Sequence, residues 1–155
     1  MPALSQARRA ALAHILSIAL AGAALIAAPD ARAADTATLN VVFKGIRTPT
    51  GAVMMTLAGS EAAYGDKAPA AGQAVLKVEG AEVTATFNGL PPGRYAVKAF
   101  HDVNGDGKMG QNPFGIPTEP FAFSNGARAV MGPPTWDAAS FEVTAGANTQ
   151  TIEID

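Results

Sequence analysis

Cysteine is absent from this chain of 155 residues. Without thiols the protein has no disulfide framework, no cysteine for a lipid anchor, and none of the thiolate ligands common at zinc sites. Charged residues are also few, at 15%, yet hydrophobic residues reach 48%, which is more than disordered chains contain. This length and composition predict one folded domain that its hydrophobic core alone holds together.

Positive charge is scarce after residue 33. The part of the chain beyond that point has eight of the eleven basic residues and twelve of the thirteen acidic ones, so its formal net charge is −4. A surface of this charge with scattered lysines has no basic patch for phosphate backbones. Nucleic acid is therefore excluded as an expected partner.

The first 33 residues have the three parts of a secretory signal peptide. Arg8 and Arg9 supply the positive start, and Ile15–Ala28 is an uncharged apolar run that is shorter than the roughly 20 residues of a bilayer-spanning helix. Ala31–Ala33 then has small residues at the two positions that a signal peptidase reads. We expect cleavage after residue 33, one domain over residues 34–155 without a further membrane-spanning segment, and a periplasmic or secreted location. The alternative is an uncleaved membrane anchor.

The rest of the chain has no helical period. Short alternating apolar segments are separated instead by turn residues, of which Gly89–Gly93 is the strongest group. About eight strands are predicted, at residues 39–44, 53–57, 74–78, 83–87, 94–101, 119–123, 140–143 and 149–154. This pattern is typical of an all-β, antiparallel sandwich.

The sandwich predicts a particular core and particular loops. The residues expected to be buried include Val41, Phe43, Val97, Phe141 and Ile152. Three stretches rich in small and turn residues are expected to be long loops, and the first should be exposed with a single helical turn. They cover residues 59–72, 103–117 and 126–134.

Four short motifs in the second half of the chain resemble a known family. They are His101-Asp102, Asn104-Gly-Asp-Gly107, Gly115-Ile-Pro117 and Phe123-Ser-Asn125. On these motifs the chain resembles the DUF2141 family of exported bacterial proteins, a domain of unknown function, over most of its length after the leader. The resemblance implies export and an immunoglobulin-like or transthyretin-like sandwich of about seven to eight strands with long loops, and it brings no established activity. A shorter resemblance, of Leu90–Tyr95 to the PG-x-Y turn of carboxypeptidase regulatory-like domains, implies the same architecture.

One loop matches the first half of a calcium-binding loop. Asp102, Asn104, Asp106 and Gly107 fit the pattern D-x-[DN]-x-[DN]-G. Calcium takes about six to eight oxygen ligands, and carboxylates a few residues apart on a tight loop can converge on one ion. The carbonyl of Lys108 would be the next ligand, so residues 102–110 are a candidate calcium-stabilised loop.

The second half of this pattern departs from an EF-hand. Pro113 stands where an EF-hand has glutamate, and no helix can continue through the prolines that follow. Glu119 is the nearest acid that could complete the site. The alternative is a turn without metal, because Asn104-Gly105 is a strong hairpin dipeptide and aspartate commonly bonds backbone two residues on.

An alternative function is suggested by His101, Asp102 and Ser124. Together they could form a small hydrolase in which the serine attacks and the histidine takes its proton. Adjacent strand residues point to opposite faces, however, so Asp102 would not orient the His101 ring. A structural histidine that bonds a loop carbonyl explains the same residue.

The favoured function is an exported, non-enzymatic binding or structural module. Its long loops would present a surface to an unknown protein, peptide or glycan. The loop-rich half contains four aromatic residues, which would form either a ligand platform or a plug at one end of the sandwich. These are Phe114, Phe121, Phe123 and Trp136.

Overall fold

The computed structural model describes residues 35–154, and this range contains eight strands, two one-turn α-helices and a short 3₁₀ turn at Ser124–Gly126. The strands are β1 (Ala37–Lys44), β2 (Ala52–Ala58), β3 (Gly72–Lys77), β4 (Val83–Leu90), β5 (Gly93–Asp102), β6 (Phe121–Phe123), β7 (Phe141–Val143) and β8 (Gly146–Glu153). The helices are α1 (Glu61–Tyr64) and α2 (Trp136–Ala139). All eight predicted strand segments are confirmed, with small differences at their ends. The predicted leader lies outside the described residues.

The strands pair into two sheets. The smaller sheet has the order β4-β1-β8, and the larger has the order β3-β2-β5-β6, with β7 pairing the first residues of β5. The inward residues of both sheets share one hydrophobic core. The predicted all-β sandwich is therefore confirmed.

One strand pair departs from the antiparallel expectation. β1 and β8 run parallel, from Ala37 beside Gly146 to Lys44 beside Glu153. The reason is the crossover after β7, which belongs to the larger sheet. The chain passes from there to the smaller sheet and begins β8 next to the start of β1, so the two strands share a direction.

The core is built by the period of two that strands impose on their side chains. On β1, Leu39, Val41 and Phe43 are fully buried while the residues between them are partly exposed. Burying each such side chain contributes about 1.5–3 kcal/mol. The burial of Val97 and Ile152 is also confirmed. Phe141 is buried only in part, because it lies on the short strand β7 at the margin of the larger sheet.

Both helices are single turns that cover a second, smaller core. Ser60 caps α1 by accepting a hydrogen bond from the Ala63 amide at 3.2 Å, and Thr135 caps α2 in the same way. The predicted helical turn within residues 59–72 is confirmed, but the segment is not wholly exposed, because Ala63 and Tyr64 are buried. Within residues 35–154 no helix combines the length and the apolar sequence that crossing a membrane requires.

Candidate functional site

The outer face of the larger sheet has a row of apolar side chains that crosses four strands. Register places Met54 of β2 between Val75 of β3 and Phe100 of β5, and Phe100 is paired in turn with Phe121 of β6. These are outward positions, because the residues on either side of them in β2, β5 and β6 are the more buried ones. We call these four side chains the apolar row.

A second row lies beside the first and is more polar. It consists of Gln73, Thr56, Lys98 and Phe123, paired across the same four strands. The ammonium of Lys98 donates to both carboxylate oxygens of Asp66, at 2.8 and 2.9 Å, and to the carbonyl of Tyr64 at 2.8 Å. All three of its donors are used, and its charge is balanced by that of Asp66.

Two long loops turn this face into a groove. The loop between β5 and β6 contributes Met109, Phe114 and Ile116 to its lining, and the loop before α2 contributes Met131. Phe114 is 88% exposed, and Met131 is fully exposed. The groove has a volume of about 1070 Å³, which is slightly above the range of about 300–1000 Å³ for small-molecule sites.

The first of these loops is organised by the buried carboxylate of Asp102, which is only 3% exposed. Its Oδ1 accepts hydrogen bonds from the amides of Gly105 at 2.7 Å and Asp106 at 3.2 Å, and its Oδ2 accepts one from Gly107 at 2.8 Å. A buried anion needs partners of this kind, and bonds between backbone amides and a carboxylate are among the stronger ones. Asp102 therefore holds the turn at residues 104–107.

The remaining acids of the loop are bonded in a similar way. Asp106 accepts from the Lys108 amide at 2.8 Å through Oδ1 and from the Asn104 side chain at 3.1 Å through Oδ2. Glu119 accepts from the amides of Val103 and Gly110, both at 2.9 Å, one at each oxygen. Glu119 thus ties both ends of the loop together.

The predicted calcium ligands are accordingly near one another but turned toward the backbone. Each carboxylate oxygen of Asp102, Asp106 and Glu119 accepts a hydrogen bond from within residues 102–119. In the described part of the chain, no group of three or more His, Asp and Glu side chains is arranged to hold a metal ion. These contacts correspond to the metal-free turn, and calcium binding by Asp102, Asn104, Asp106, Lys108 and Glu119 stays a prediction.

His101 and Ser124 each have partners other than one another. The Nε2 atom of His101 lies 2.7 Å from the carbonyl oxygen of Thr50, which is the structural role that the sequence offered as an alternative. The hydroxyl of Ser124 donates to the Ala139 carbonyl at 2.6 Å and accepts from the Val97 amide at 2.8 Å. Both side chains are buried, and within residues 35–154 no hydrogen bond joins them. Ser124 therefore fixes the turn after β6 to β5 and α2.

The Thr50 carbonyl reaches His101 because the chain approaches β5 very closely at Gly51. This glycine has φ +70°, and a side chain there would collide with the carbonyl of Asp102. Only glycine fits such a position. The hydrogen bond between His101 and Thr50 therefore holds the end of β5, where the Asp102 loop begins, against the start of β2.

The four aromatic residues singled out in the sequence divide between two neighbouring recesses. Phe114, Phe121 and Phe123 line the groove, where the rings of Phe121 and Phe123 meet edge to face at 6.0 Å. Trp136 lies in an adjoining recess and makes an edge contact of 6.0 Å with Tyr64. The exposure of Phe114 shows that it does not plug the sandwich.

The sequence interpretation missed the floor of the groove. Met54, Val75 and Phe100 were not singled out, and neither were the loop methionines Met109 and Met131. A signal was present, since apolar residues stand at the outward positions of strands whose inward positions are already apolar. These residues indicate a groove only once the order and register of the strands are known.

Comparison with known proteins gives one match. A family model described as "Uncharacterized protein conserved in bacteria (DUF2141)" matches residues 41–152. No curated protein and no solved structure matches the chain. The matched range extends from β1 to β8 and includes the groove and the Asp102 loop.

Proposed function

The chain belongs to the DUF2141 family of bacterial proteins, and we propose that it is a non-enzymatic binding module whose ligand occupies the groove on the larger sheet. The observation that carries the proposal is the difference between the two outer faces of the sandwich. The leader predicted over residues 1–33 supports a function outside the cytoplasm.

The outer face of the smaller sheet is polar. Its outward positions are occupied mainly by threonine and asparagine, with Val42 as the one large apolar side chain among them. They include Thr38, Asn40, Thr84, Thr86, Thr149 and Thr151. This is the expected pattern for a sheet with one face on the core and the other in water.

The outer face of the larger sheet breaks that pattern. Its apolar row is continuous with exposed apolar side chains of the loops, including Phe114, Ile116 and Met131. Monomeric soluble proteins rarely expose a large contiguous apolar patch unless it binds something. Methionine side chains are flexible and polarizable and adapt well to an apolar ligand.

The chemistry of the groove favours binding over catalysis. Of its lining residues, all within the described range, only Lys98 and Asp66 are ionisable, and they neutralise each other. An enzyme site of this size would need a nucleophile and a base within reach of one another. The hydrolase alternative rests on His101, Asp102 and Ser124, whose side chains are buried and bonded elsewhere.

A neutral apolar probe, N-phenyl-1-naphthylamine, tests the proposal. We expect its fluorescence to rise on binding to residues 34–155, and the substitution Val75→Thr to weaken binding roughly three- to tenfold by replacing a methyl with a hydroxyl in the groove. Val42→Thr is the matched control, since it makes the same change on the outer face of the smaller sheet. A probe that does not bind, or equal effects of the two substitutions, would contradict the proposal.

A further inference from the structure

We infer that the groove takes an elongated, uncharged amphiphile, with a hydrocarbon chain along the apolar row and a neutral hydrogen-bonding end at Gln73 and Thr56. This inference rests on the proposed function and specifies its ligand. It is carried by the charge of the groove, its length and the arrangement of its two rows.

The charge of the groove excludes an ionic ligand. Lys98 has no free donor, because its three N–H groups are directed at Asp66 and the Tyr64 carbonyl. A charged headgroup beside Thr56, which is partly buried, would lose part of its water and gain no opposite charge, which is unfavourable. A neutral headgroup gives up far less hydration free energy when it enters the groove.

The length of the apolar row fits a medium-length hydrocarbon chain. Four strands are separated by three spacings of about 4.8 Å, so the row spans roughly 14 Å. An extended chain advances about 1.3 Å per carbon, given a C–C bond of about 1.5 Å, so the row accommodates roughly eleven carbons. The headgroup should then lie near the exposed edge at Val75, and the methyl end of the chain should lie against Phe121.

The second row supplies the hydrogen bonds for an uncharged end. Gln73 and Thr56 stand next to Val75 and Met54 on the same face, one register position along the strands. An amide and a hydroxyl both donate and accept, which suits an alcohol, an ester or an amide. An apolar strip beside neutral polar groups therefore matches an amphiphile better than a pure hydrocarbon.

The same features argue against a membrane surface. The chain beyond residue 33 has a net charge of −4, and anionic lipid would repel it. The concave shape, with walls from two loops, also suits a molecule that enters the groove better than a flat partner. A second copy of the chain is the remaining occupant, and the test includes it.

The test is displacement of N-phenyl-1-naphthylamine by ligands with the same chain and different charge. We expect 1-dodecanol to displace the probe at a concentration at least about tenfold lower than dodecanoate or dodecylammonium, because a partly desolvated charge would have no partner. Along a series of alcohols from six carbons, each two added carbons should strengthen binding by up to roughly fifteenfold, at about 0.8 kcal/mol for each buried methylene. The gain should stop near twelve carbons, where the row ends.

A variant with an added positive charge in the groove provides a second test. Gln73→Lys should strengthen dodecanoate binding at least threefold, because the new ammonium lies beside the headgroup. It should not strengthen dodecanol binding, because it removes the amide that bonds the hydroxyl. Thr149→Lys, on the outer face of the smaller sheet, is the matched control and should change neither affinity. Equal displacement by dodecanol and dodecanoate in the wild type would overturn the inference and leave the binding module intact.

Two further measurements address the other occupants. Sedimentation should give a monomer whose probe binding does not change on dilution, and vesicles of neutral phosphatidylcholine should not pull the protein down. A dimer that binds the probe only when diluted, or sedimentation with vesicles, would overturn the inference. Failure of the probe to bind at any protein concentration would contradict the proposed function itself.

Discussion

At the scale of single residues, two buried tyrosines differ in one hydrogen bond. The hydroxyl of Tyr95 donates to the Pro91 carbonyl at 2.7 Å, at the turn that begins β5. The hydroxyl of Tyr64, the last residue of α1, is buried without a hydrogen-bond partner among the described residues. Leaving a buried polar group unbonded costs free energy, whereas a bonded one contributes about 0.5–1.5 kcal/mol.

Removing the two hydroxyls should therefore have opposite effects. We expect Tyr95→Phe to lower the free energy of unfolding by about 0.5–1.5 kcal/mol, and Tyr64→Phe to leave it unchanged or raise it. Urea unfolding of the two variants and the wild type measures this difference, and each variant is the control for the other. A loss of equal size in both would contradict the argument.

The same tyrosines make stability depend on alkaline pH. Burial raises the pKa of Tyr64 from 10.0 to about 12 and also raises the pKa of Tyr95. The unfolded chain then ionises before the folded one, so the contribution is complete below about pH 10 and is lost as pH rises toward 12. The free energy of unfolding should fall across this window, and it should fall less steeply in Tyr64→Phe. Equal slopes in the two proteins would exclude Tyr64 as a cause.

At the scale of elements, the loop between β5 and β6 depends on where its acids point. Asp102 is buried and accepts three amides, whereas Asp106 is exposed. We expect Asp102→Asn to lower the free energy of unfolding by about 1.5–3 kcal/mol, because charged acceptors are lost in a buried site. The matched change Asp106→Asn should cost less than about 0.5 kcal/mol. If denaturant unfolding gave similar losses of free energy for the two variants, burial of Asp102 would not be the cause of its contribution to stability.

Calcium binding by this loop is tested by thermal melts in chelator and in about 10 mM calcium, which is about ten times the weakest expected Kd. Binding to the native state would add about 1.4 kcal/mol and raise Tm by roughly 4–6 °C. Asp106→Ala should abolish that rise by removing a carboxylate ligand. Identical wild-type melts in the two buffers would leave Asp102–Gly107 as a metal-free turn.

At the scale of the whole molecule, cleavage of the predicted leader would place the proposed binding module outside the cytoplasm. An exported product should have lost residues 1–33 and begin near Ala34, because the chain has a positive start, a short apolar run and small residues before that point. Mass spectrometry of the periplasmic or secreted protein measures this directly. Full-length protein of 15.7 kDa in the membrane fraction would contradict it.

The sequence alone determined which side of β1 and of β5 meets the core. A strand alternates its side chains whatever its partners are, so the spacing of Val41 and Phe43 on β1, or of Val97 on β5, was enough to predict their burial. Turn residues marked the ends of the strands, because their backbone preferences are also local. The position of Asp102 at the end of β5, and the turn that follows it, also depended on neighbouring residues alone.

Tertiary structure decided which outward residues meet. Val75, Met54, Phe100 and Phe121 come from four separate strands, and only the order and register of the larger sheet align them in one row. Alternation contains no information about strand partners, so it could not predict the groove. Folding likewise decided that the oxygens of Asp102 face backbone amides and that His101 meets Thr50, because both outcomes depend on how closely distant segments approach.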